Sequence, residues 1–340
     1  MPGRHRHRAF LVPLLAVLLA AAGCSPAGSG RAGPSAASGA GPAGEDAGPP
    51  FWVDPDTDAA HQVADWEAQG RNGDAQVLRR ISDRPAALWA AAGDPGPEVR
   101  RAARGATAAG QTLLVTAHNL PHRDCGGRSA GGGARDARAY RAWITALATA
   151  IGRTRTLVVL EPGAVARIAA GCAPADRHEE QLGLLSGAVQ RLKQNPGTRV
   201  YLDAGDPARP PAAEAVAGLL RKAGLEHADG FALNTGGFAS DATALAYGAR
   251  LSGLTDGRHF VVDTGRNGEG PLPGDPDASS CNPPGRALGT PPTDRTGDPL
   301  ADAYLWVKPP GESDGTCRGG PEAGRWWPDY ALGLARRAKD

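Results

Sequence analysis

Short apolar runs alternate with amphipathic stretches along the chain from residue 51 onward. The runs are rich in Val, Leu and Ala, as in strands that are buried on both faces of a parallel sheet. Between them, apolar residues recur at helical spacing. The pattern predicts strands at Ala86–Ala91, Thr112–Ala117, Thr156–Glu161, Thr198–Asp203, Gly230–Asn234, His259–Asp263 and Ala303–Lys308. It predicts helices at Glu98–Ala109, Ala137–Ile151, Arg177–Gln194, Pro211–Ala223, Ser240–Ser252 and Pro328–Ala338.

Regular alternation of strand and helix within one domain predicts a parallel α/β fold. A barrel and an open doubly wound sheet both satisfy this pattern. In either fold the ligand site lies at the carboxyl ends of the strands. Several predicted strands run into polar residues there: His118 and Asn119, Glu161, Asp203, Asn234, Asp263 and Lys308.

This set of strand-end residues indicates a sugar site. Carboxylates can act as acid and base on a glycosidic bond, and the flat faces of the chain's Trp side chains can stack on sugar rings. Any one of these carboxylates could equally be a cap or one half of an ion pair. The prediction therefore depends on several of them meeting at one edge of the sheet.

Composition narrows the possible partners. The 340 residues include 41% hydrophobic residues, enough for a sizeable core. Basic residues number 37 and acidic residues 36, so the net charge is +1. Such a balance offers no basic surface for the phosphates of a nucleic acid, and no nucleic-acid partner is predicted.

The first 24 residues have the pattern of an export signal. Three arginines precede an apolar stretch over residues 9–22, which is shorter than the roughly 20 residues of a membrane-spanning helix. The stretch ends in Ala21-Ala22-Gly23-Cys24, which resembles a bacterial lipoprotein cleavage box. We expect Cys24 to be lipidated and to tether an extracellular protein to the outer face of the cell membrane. An ordinary cleaved signal is the alternative.

Residues 25–50 are mostly Gly, Pro, Ala and Ser. A segment without large apolar side chains cannot offset its ordering entropy by burial, so it is predicted to be a disordered linker before a folded domain at 51–340. The folded domain has four cysteines, and an even number in an exported protein indicates disulfides, with three possible pairings. A zinc site is the rival interpretation, but CxxC and paired His spacings are missing. No metal or other cofactor is predicted.

Four segments of the folded domain stand out as motifs: NLPHRDC at 119–125, YLDAG at 201–205, VDTGRNG at 262–268 and WVKPPGESDG at 306–315. They resemble the signature motifs of the family 6 glycoside hydrolases, which are inverting β-1,4-glucanases and cellobiohydrolases. They occur in the family's order and together are far more specific than any one alone. The resemblance implies a distorted parallel β/α barrel that acts as a monomer on β-glucan.

The resemblance also implies roles for particular residues. Asp314 matches the base of an inverting mechanism, in which acid and base stand about 6.5–9.5 Å apart. Asp124 matches the carboxylate that assists the acid, and Asp203 matches one that balances charge nearby. Substrate-binding roles fall to Trp89, Asn234, Lys308 and Glu312. The implied disulfides are Cys125–Cys172 and Cys281–Cys317.

One position departs from the family pattern. The general acid is the Asp of an EPD segment at the end of a strand, and this chain has Glu161-Pro162-Gly163. Glycine has no proton to donate, and loss of general-acid assistance costs about 100- to 10,000-fold in rate. Three hypotheses follow: Asp124, Glu161 or His118 replaces the donor; the chain is an inactive glycan-binding lipoprotein; or its substrate has a leaving group that needs no acid.

Overall fold

Seven parallel strands curl into an incomplete barrel, and their order across the sheet is their order along the chain. The computed structural model describes residues 50–123, 132–172, 175–274 and 280–339. The strands are β1 (Leu88–Trp89), β2 (Leu113–Ala117), β3 (Thr156–Leu160), β4 (Thr198–Asp203), β5 (Gly230–Leu233), β6 (His259–Asp263) and β7 (Ala301–Leu305).

Helices surround this sheet. Several begin at a side-chain cap, as at Asp136, whose carboxylate accepts a hydrogen bond from the Ala139 amide at 2.7 Å. The helices are α1 (Asp58–Ala68), α2 (Asn72–Ser82), α3 (Gly96–Ala109), α4 (Ala137–Ile151), α5 (Ala164–Ala169), α6 (Ala175–Lys193), α7 (Ala213–Lys222), α8 (Asp241–Leu254) and α9 (Pro328–Arg337), with a 3₁₀ turn at Cys317–Gly319.

The predicted alternation of strand and helix is confirmed. The strand order never reverses along the sheet, so the fold is the barrel type and not a doubly wound sheet, in which the order reverses at a switch point. Helices α1, α2 and α5 were not predicted. None of the described helices has the length and apolar character needed to cross a membrane.

The last strand was predicted at Ala303–Lys308 and lies instead at Ala301–Leu305. Residues 306–308 leave the ladder because their backbone atoms bond elsewhere. The Trp306 carbonyl accepts from the Ala87 amide at 2.9 Å, and the Lys308 amide donates to Asp263 Oδ2 at 3.0 Å.

The two faces of the sheet follow the two-residue period of a strand. One face packs against the helices and carries residues such as Val158 and Leu202. The other face forms a separate cluster with contributions from successive strands, including Leu114, Tyr201 and Val261, and it fills the inside of the curled sheet. Both faces are apolar because both are covered.

The gap between β1 and β7 is bridged by the Ala87–Trp306 hydrogen bond and not by a ladder. Trp306 is buried there in a third cluster formed with α1, α2 and α9, to which Trp66 and Leu334 contribute. These terminal helices therefore cover the open side of the barrel.

The strand period also explains where the polar residues stand. His118, Asp203, Asn234 and Asp263 continue the inward-facing set of their strands by one further position, so they converge at one end of the barrel. We call this end, formed by the carboxyl ends of β2–β7 and the loops that follow them, the rim. A disulfide between Cys281 and Cys317, with Cα atoms 6.3 Å apart, lies in the loops that follow β6 and β7. Cys172 is also disulfide-bonded, and its implied partner Cys125 lies outside the described residues.

Candidate active site

Asp203 ends β4 and is buried at the rim. Its Oδ1 accepts hydrogen bonds from the amides of Gly163 at 2.7 Å and Gly205 at 3.0 Å. Burial raises the pKa of Asp203 to about 6. The Thr235 hydroxyl opposes that shift, although its contact with the carboxylate does not reach hydrogen-bond geometry. Asp203 can therefore hold a proton in mildly acidic solution.

Gly163 has the left-handed conformation, with φ of 75°, and begins α5. Its amide is fixed by Asp203, but the space where its side chain would stand is taken. A Cβ built there would lie 2.5 Å from Arg167 Nη1, because Arg167 is one helical turn further along α5 and folds back, its Nη1 donating to the Pro162 carbonyl at 3.3 Å. The cationic end of Arg167 therefore crowds the position that a Cβ at residue 163 would take.

Glu161 is fully buried and bonds to backbone, not to the cleft. Its two oxygens accept from the Asn119 amide at 2.9 and 3.1 Å, and Oε2 accepts from the Leu120 amide at 3.0 Å. Burial raises the pKa of Glu161 to about 7. These bonds join the end of β3 to the end of β2, which is a structural task, so the geometry does not favour Glu161 as the replacement proton donor.

His118 follows β2 and packs edge-on against Trp89, with ring centroids 5.4 Å apart. Burial, together with the nearby cations Arg123 and Arg167, lowers the pKa of His118 to about 3. The ring is neutral at ordinary pH and carries no acidic proton for catalysis. The Trp89 indole is held by a 2.7 Å hydrogen bond from Nε1 to the Val307 carbonyl.

Asp314 lies in the loop that follows β7 and is held through one of its oxygens. Arg266 Nη1 donates to its Oδ2 at 2.8 Å, and the Asn282 amide donates to the same oxygen at 2.9 Å. The Asn282 side chain in turn accepts from the Asp314 amide at 2.8 Å. Arg266 is buried, with only 2% of its side chain exposed, so this charge-assisted pair fixes the position of the carboxylate. Its other oxygen, Oδ1, faces Lys308 Nζ at 3.9 Å.

Lys308 and Glu312 form a second polar group beside Asp314. Lys308 Nζ lies 3.7 Å from Glu312 Oε2 and donates to the Ser313 carbonyl at 3.2 Å. Burial lowers the pKa of Lys308 and raises the pKa of Glu312 to about 7. Glu312 and Trp89 line the same cavity, of about 280 Å³, at the side of the barrel where β1 meets the end of β7.

Asp263 ends β6 and accepts hydrogen bonds from the loops after three strands. Its carboxylate accepts from three amides, those of Gly236, Gly265 and Lys308, at 2.8, 2.9 and 3.0 Å. Burial nevertheless raises the pKa of Asp263. Its position among backbone donors gives it the task of holding three loops together.

The comparisons with known proteins agree with this geometry. The family model described as glycosyl hydrolases family 6 matches residues 46–338. The chain belongs to glycosyl hydrolases family 6.

Individual relatives place the chain within family 6. Endoglucanase A of Cellulomonas fimi is 39% identical over 293 residues, which cover 85% of this chain and 61% of that protein. The chain thus spans less than two thirds of this relative's length. Endoglucanase A of Thermobispora bispora is 36% identical over 340 residues, covering 98% of this chain and 70% of that protein.

Among solved structures, the endoglucanase Cel6 from Mycobacterium tuberculosis, in complex with methyl-cellobiosyl-4-deoxy-4-thio-β-D-cellobioside, is similar with a TM-score of 0.78. It is 42% identical to this chain, and the match covers 85% of this chain and 97% of that structure. The resemblance, the distorted barrel and the prediction of a glycoside hydrolase are confirmed. The comparisons lend no support to the alternative of an inactive glycan-binding lipoprotein.

The structure brings most of the predicted site residues of this family 6 chain to the rim. Asn234 also lies there, but its side chain is fully buried. Its side-chain amide donates to the Ala239 and Asp263 carbonyls at 3.2 and 2.8 Å. It holds the loop after β5, and substrate binding by Asn234 stays a prediction. Asp124 and Cys24 lie outside the described residues.

Sequence reasoning assigned no role to Arg266, Asn282 or Arg167. Arg266 stood inside a recognised motif, three residues after the strand-end carboxylate Asp263. That proximity was a signal that could have been used. Asn282 follows Cys281 directly, so the disulfide and the base are adjacent. Arg167 could be found only by asking which side chain, four residues along a helix, folds back over Gly163.

Proposed function

We propose that this chain hydrolyses β-1,4-glucosidic bonds of a glucan by single displacement with inversion at the anomeric carbon. The observation that carries the proposal is the fixed position of Asp314 at the rim, held through one oxygen by Arg266 and Asn282. The names of the family 6 relatives support the substrate class, since they are endoglucanases and cellobiohydrolases. A thio-linked cello-oligosaccharide is bound in the similar Mycobacterium tuberculosis structure.

In this proposal Asp314 is the base. Arg266 orients the carboxylate through Oδ2, and Oδ1 is left to accept a proton from the attacking water, directly or through a second water. Lys308 Nζ lies 3.9 Å from that oxygen and adds positive charge beside it. Inversion requires this base to lie on the opposite face of the sugar from the leaving group.

Asp203 and Asp124 belong to the leaving-group side of the proposal. Asp203 accepts a hydrogen bond from the Gly163 amide, and burial raises its pKa to about 6. It can therefore carry a proton beside position 163 in mildly acidic solution. Asp124 is proposed, on the family motif alone, to assist proton delivery. Since residue 163 carries no carboxyl, proton delivery to a sugar leaving group is weakened in this chain.

Sugar binding is proposed for the cavity of about 280 Å³ beside β1. Trp89 offers a ring whose orientation is fixed by its Nε1 hydrogen bond to Val307. Glu312 lines the cavity and offers a carboxyl to sugar hydroxyls. Lys308 does not line it, but its Nζ lies 3.7 Å from Glu312 Oε2 and offers a donor group beside it. A rigid aromatic face with a few convergent polar groups is the usual composition of a carbohydrate site.

The test is release of reducing sugar from a soluble β-1,4-glucan by wild type, Asp314→Asn and the matched control Asp65→Asn, an exposed carboxylate on α1. We expect Asp314→Asn to lower kcat by about 100-fold or more and the control to match wild type. Proton NMR of the first product should show the α-anomer. A β-anomeric product, or an Asp314→Asn variant as active as wild type, contradicts the proposal.

We also propose that residues 1–24 are an export signal of the lipoprotein type, that residues 25–50 are a linker, and that Cys24 tethers a monomeric extracellular domain to the membrane. The support is the order of charged, apolar and small residues before Cys24. Labelling of cells with radioactive palmitate should mark wild type and not Cys24→Ala. Equal labelling of both, or of neither, is evidence against the anchor. Light scattering of the purified domain tests the monomer.

A further inference from the structure

The strongest observation outside the proposed roles is the placement of Arg167. Its Nη1 lies 2.5 Å, and its guanidinium carbon 3.4 Å, from the position of a Cβ on Gly163. The guanidinium therefore fills the volume of a side chain at that position. Gly163 itself is joined by its amide to Asp203 at 2.7 Å, so this volume lies at the rim, after the end of β3 and beside the end of β4.

The groups around this volume favour a cation over a proton donor. Arg167 lowers the pKa of both His118 and Asp203, although burial is the main influence on each. His118 is neutral, and Glu161 is directed to the amides of Asn119 and Leu120. The three atoms nearest to a Cβ at position 163 all belong to the guanidinium of Arg167, which is a hydrogen-bond donor.

A guanidinium cannot replace a general acid, because it does not lose its proton in the accessible pH range. It can, however, donate hydrogen bonds to an oxygen on which negative charge develops, and fixed donors of this kind are among the largest contributions to catalysis. The two chemistries select different substrates. A sugar alkoxide needs a proton as it leaves, whereas a phosphate or a phenolate leaves as a stable anion.

We propose that Arg167 contacts the leaving-group oxygen and makes this site selective for β-glucosyl compounds whose leaving group departs as a stabilised oxyanion. The inference rests on the proposed function, since it uses the same site and the same base. The shared chemistry of the substrate is a cellobiosyl unit joined through C1 to an acidic oxygen, either of a phosphate ester or of an acidic phenol.

The reaction balances without a general acid. Water attacks the anomeric carbon while the bond from that carbon to the leaving oxygen breaks. The bonding electron pair goes with the leaving oxygen, which departs as an anion beside Arg167. The attacking water gives one proton to Asp314, which passes it to solvent. The products are the inverted sugar and the free phosphate or phenolate.

The alternative is that Arg167 has only a structural role and closes the turn at the start of α5. Its hydrogen bond to the Pro162 carbonyl, at 3.3 Å, fits that role. The alternative predicts that loss of Arg167 lowers stability or lowers turnover of every substrate equally. The proposal predicts an effect that depends on the leaving group, which a structural residue does not produce.

The experiment measures kcat/KM for three substrates: cellotetraose, 2,4-dinitrophenyl β-cellobioside and β-cellobiosyl phosphate. The variants are wild type, Arg167→Gln, Arg167→Lys and the control Arg104→Gln, an exposed arginine on α3. We expect Arg167→Gln to lose about 100-fold on the two activated substrates and to change little on cellotetraose. Arg167→Lys should lose less activity than Arg167→Gln on these two substrates. The control Arg104→Gln should match wild type on all three. Comparing dinitrophenolate with phosphate then tells which anion the site prefers.

A second series tests the shared volume. Gly163→Asp by itself places a carboxylate against Arg167, where the ion pair keeps it ionised and a poor acid. The double variant Gly163→Asp with Arg167→Ala removes that pairing. We expect only the double variant to gain turnover of cellotetraose, by about 100-fold. Circular dichroism and thermal melting of each variant confirm that it is folded.

The outcomes separate the two proposals. If Arg167→Gln lowers all three substrates equally, or Gly163→Asp alone regains full cellotetraose turnover, the role of Arg167 is wrong. If Asp314→Asn abolishes turnover while Arg167 variants match wild type, the hydrolase stands and this inference falls. If wild type cleaves none of the substrates, the inference is overturned, and calorimetric titration with cellotetraose shows whether glucan recognition survives.

Discussion

The amide of Gly163 and the carboxylate of Asp203 are joined by a 2.7 Å hydrogen bond across the ends of β3 and β4. The bond uses a backbone atom, so it does not depend on the side chain at position 163. This explains how a residue that is a carboxylic acid in the family pattern can be glycine here while the rim keeps its arrangement. The same glycine has φ of 75°, which a side chain makes costly.

Replacement of Gly163 by alanine should destabilise the protein. A left-handed conformation costs an L-residue about 1–2 kcal/mol, and the new Cβ must displace the end of the Arg167 side chain. Urea unfolding measures the loss. The matched control is Gly183→Ala on α6, where a Cβ meets no atom within 4 Å and helix propensity favours alanine by about 1 kcal/mol. Equal stability of both variants contradicts the strain at Gly163.

Buried Asp203 should make stability depend on pH. Its pKa is raised to about 6 in the folded protein from about 3.9 in an unfolded chain. The folded state therefore binds the proton more tightly, and this stabilisation is complete below about pH 4 and lost as pH rises through about 6. Two pKa units correspond to about 3 kcal/mol.

Asp203→Asn should remove that part of the pH dependence, because an amide does not titrate. The measurement is the free energy of unfolding in urea at pH 4, 5, 6 and 7 for wild type, Asp203→Asn and the exposed control Asp65→Asn. Glu161 and Glu312, whose pKa values are raised to about 7, keep a slope at higher pH in all three. An unchanged slope between pH 4 and 6 in Asp203→Asn refutes the assignment.

Arg266→Lys should lower kcat with little change in KM. The lysine keeps the charge but loses the planar fork that places Asp314 through Nη1 at 2.8 Å. A displacement of the base by about 1 Å costs about 100-fold in rate. Steady-state kinetics on a soluble β-1,4-glucan supplies the test, with exposed Arg104→Lys as control. A rise in KM alone indicates a substrate-binding role for Arg266 instead.

The Cys281–Cys317 disulfide should support both stability and the base. It closes a separation of 36 residues, worth about 3–4 kcal/mol in the chain-entropy model. Asn282, next to Cys281, donates from Nδ2 to the Cys317 carbonyl at 3.2 Å and from its amide to Asp314. The double variant to serine should lower the melting temperature and kcat together. The kinetics are measured well below the melting temperature. Lower stability with unchanged kcat would contradict the predicted support of Asp314 by the disulfide.

Much of the fold could be predicted from local pattern. The strands Thr198–Asp203 and His259–Asp263 were predicted with their observed bounds, because strands covered on both faces are continuously apolar and end sharply at a polar residue. Helices α1 and α2 were missed. Their buried faces are narrow, with residues such as Val63 and Leu78, and they face α9 from the far end of the chain, a partner that local pattern does not reveal.

The site divides in the same way. That Asp203 and Asp263 meet at one end of the sheet follows from the two-residue period and parallel strands, both legible in the sequence. Which carboxylate is ion-paired does not follow. Arg266 and Asp314 are 48 residues apart, and their contact depends on the loops after β6 and β7 meeting across the disulfide.

By itself, then, the sequence determined the alternation of elements, the family and the absence of a carboxyl at position 163. Only the tertiary structure decided that the vacated volume is filled by Arg167 and that the partner of the base is Arg266. The physical reason is that periodicity and motifs are set by neighbours along the chain. The charge that faces a given atom is set instead by where flexible side chains come to rest once the strands, helices and loops have packed.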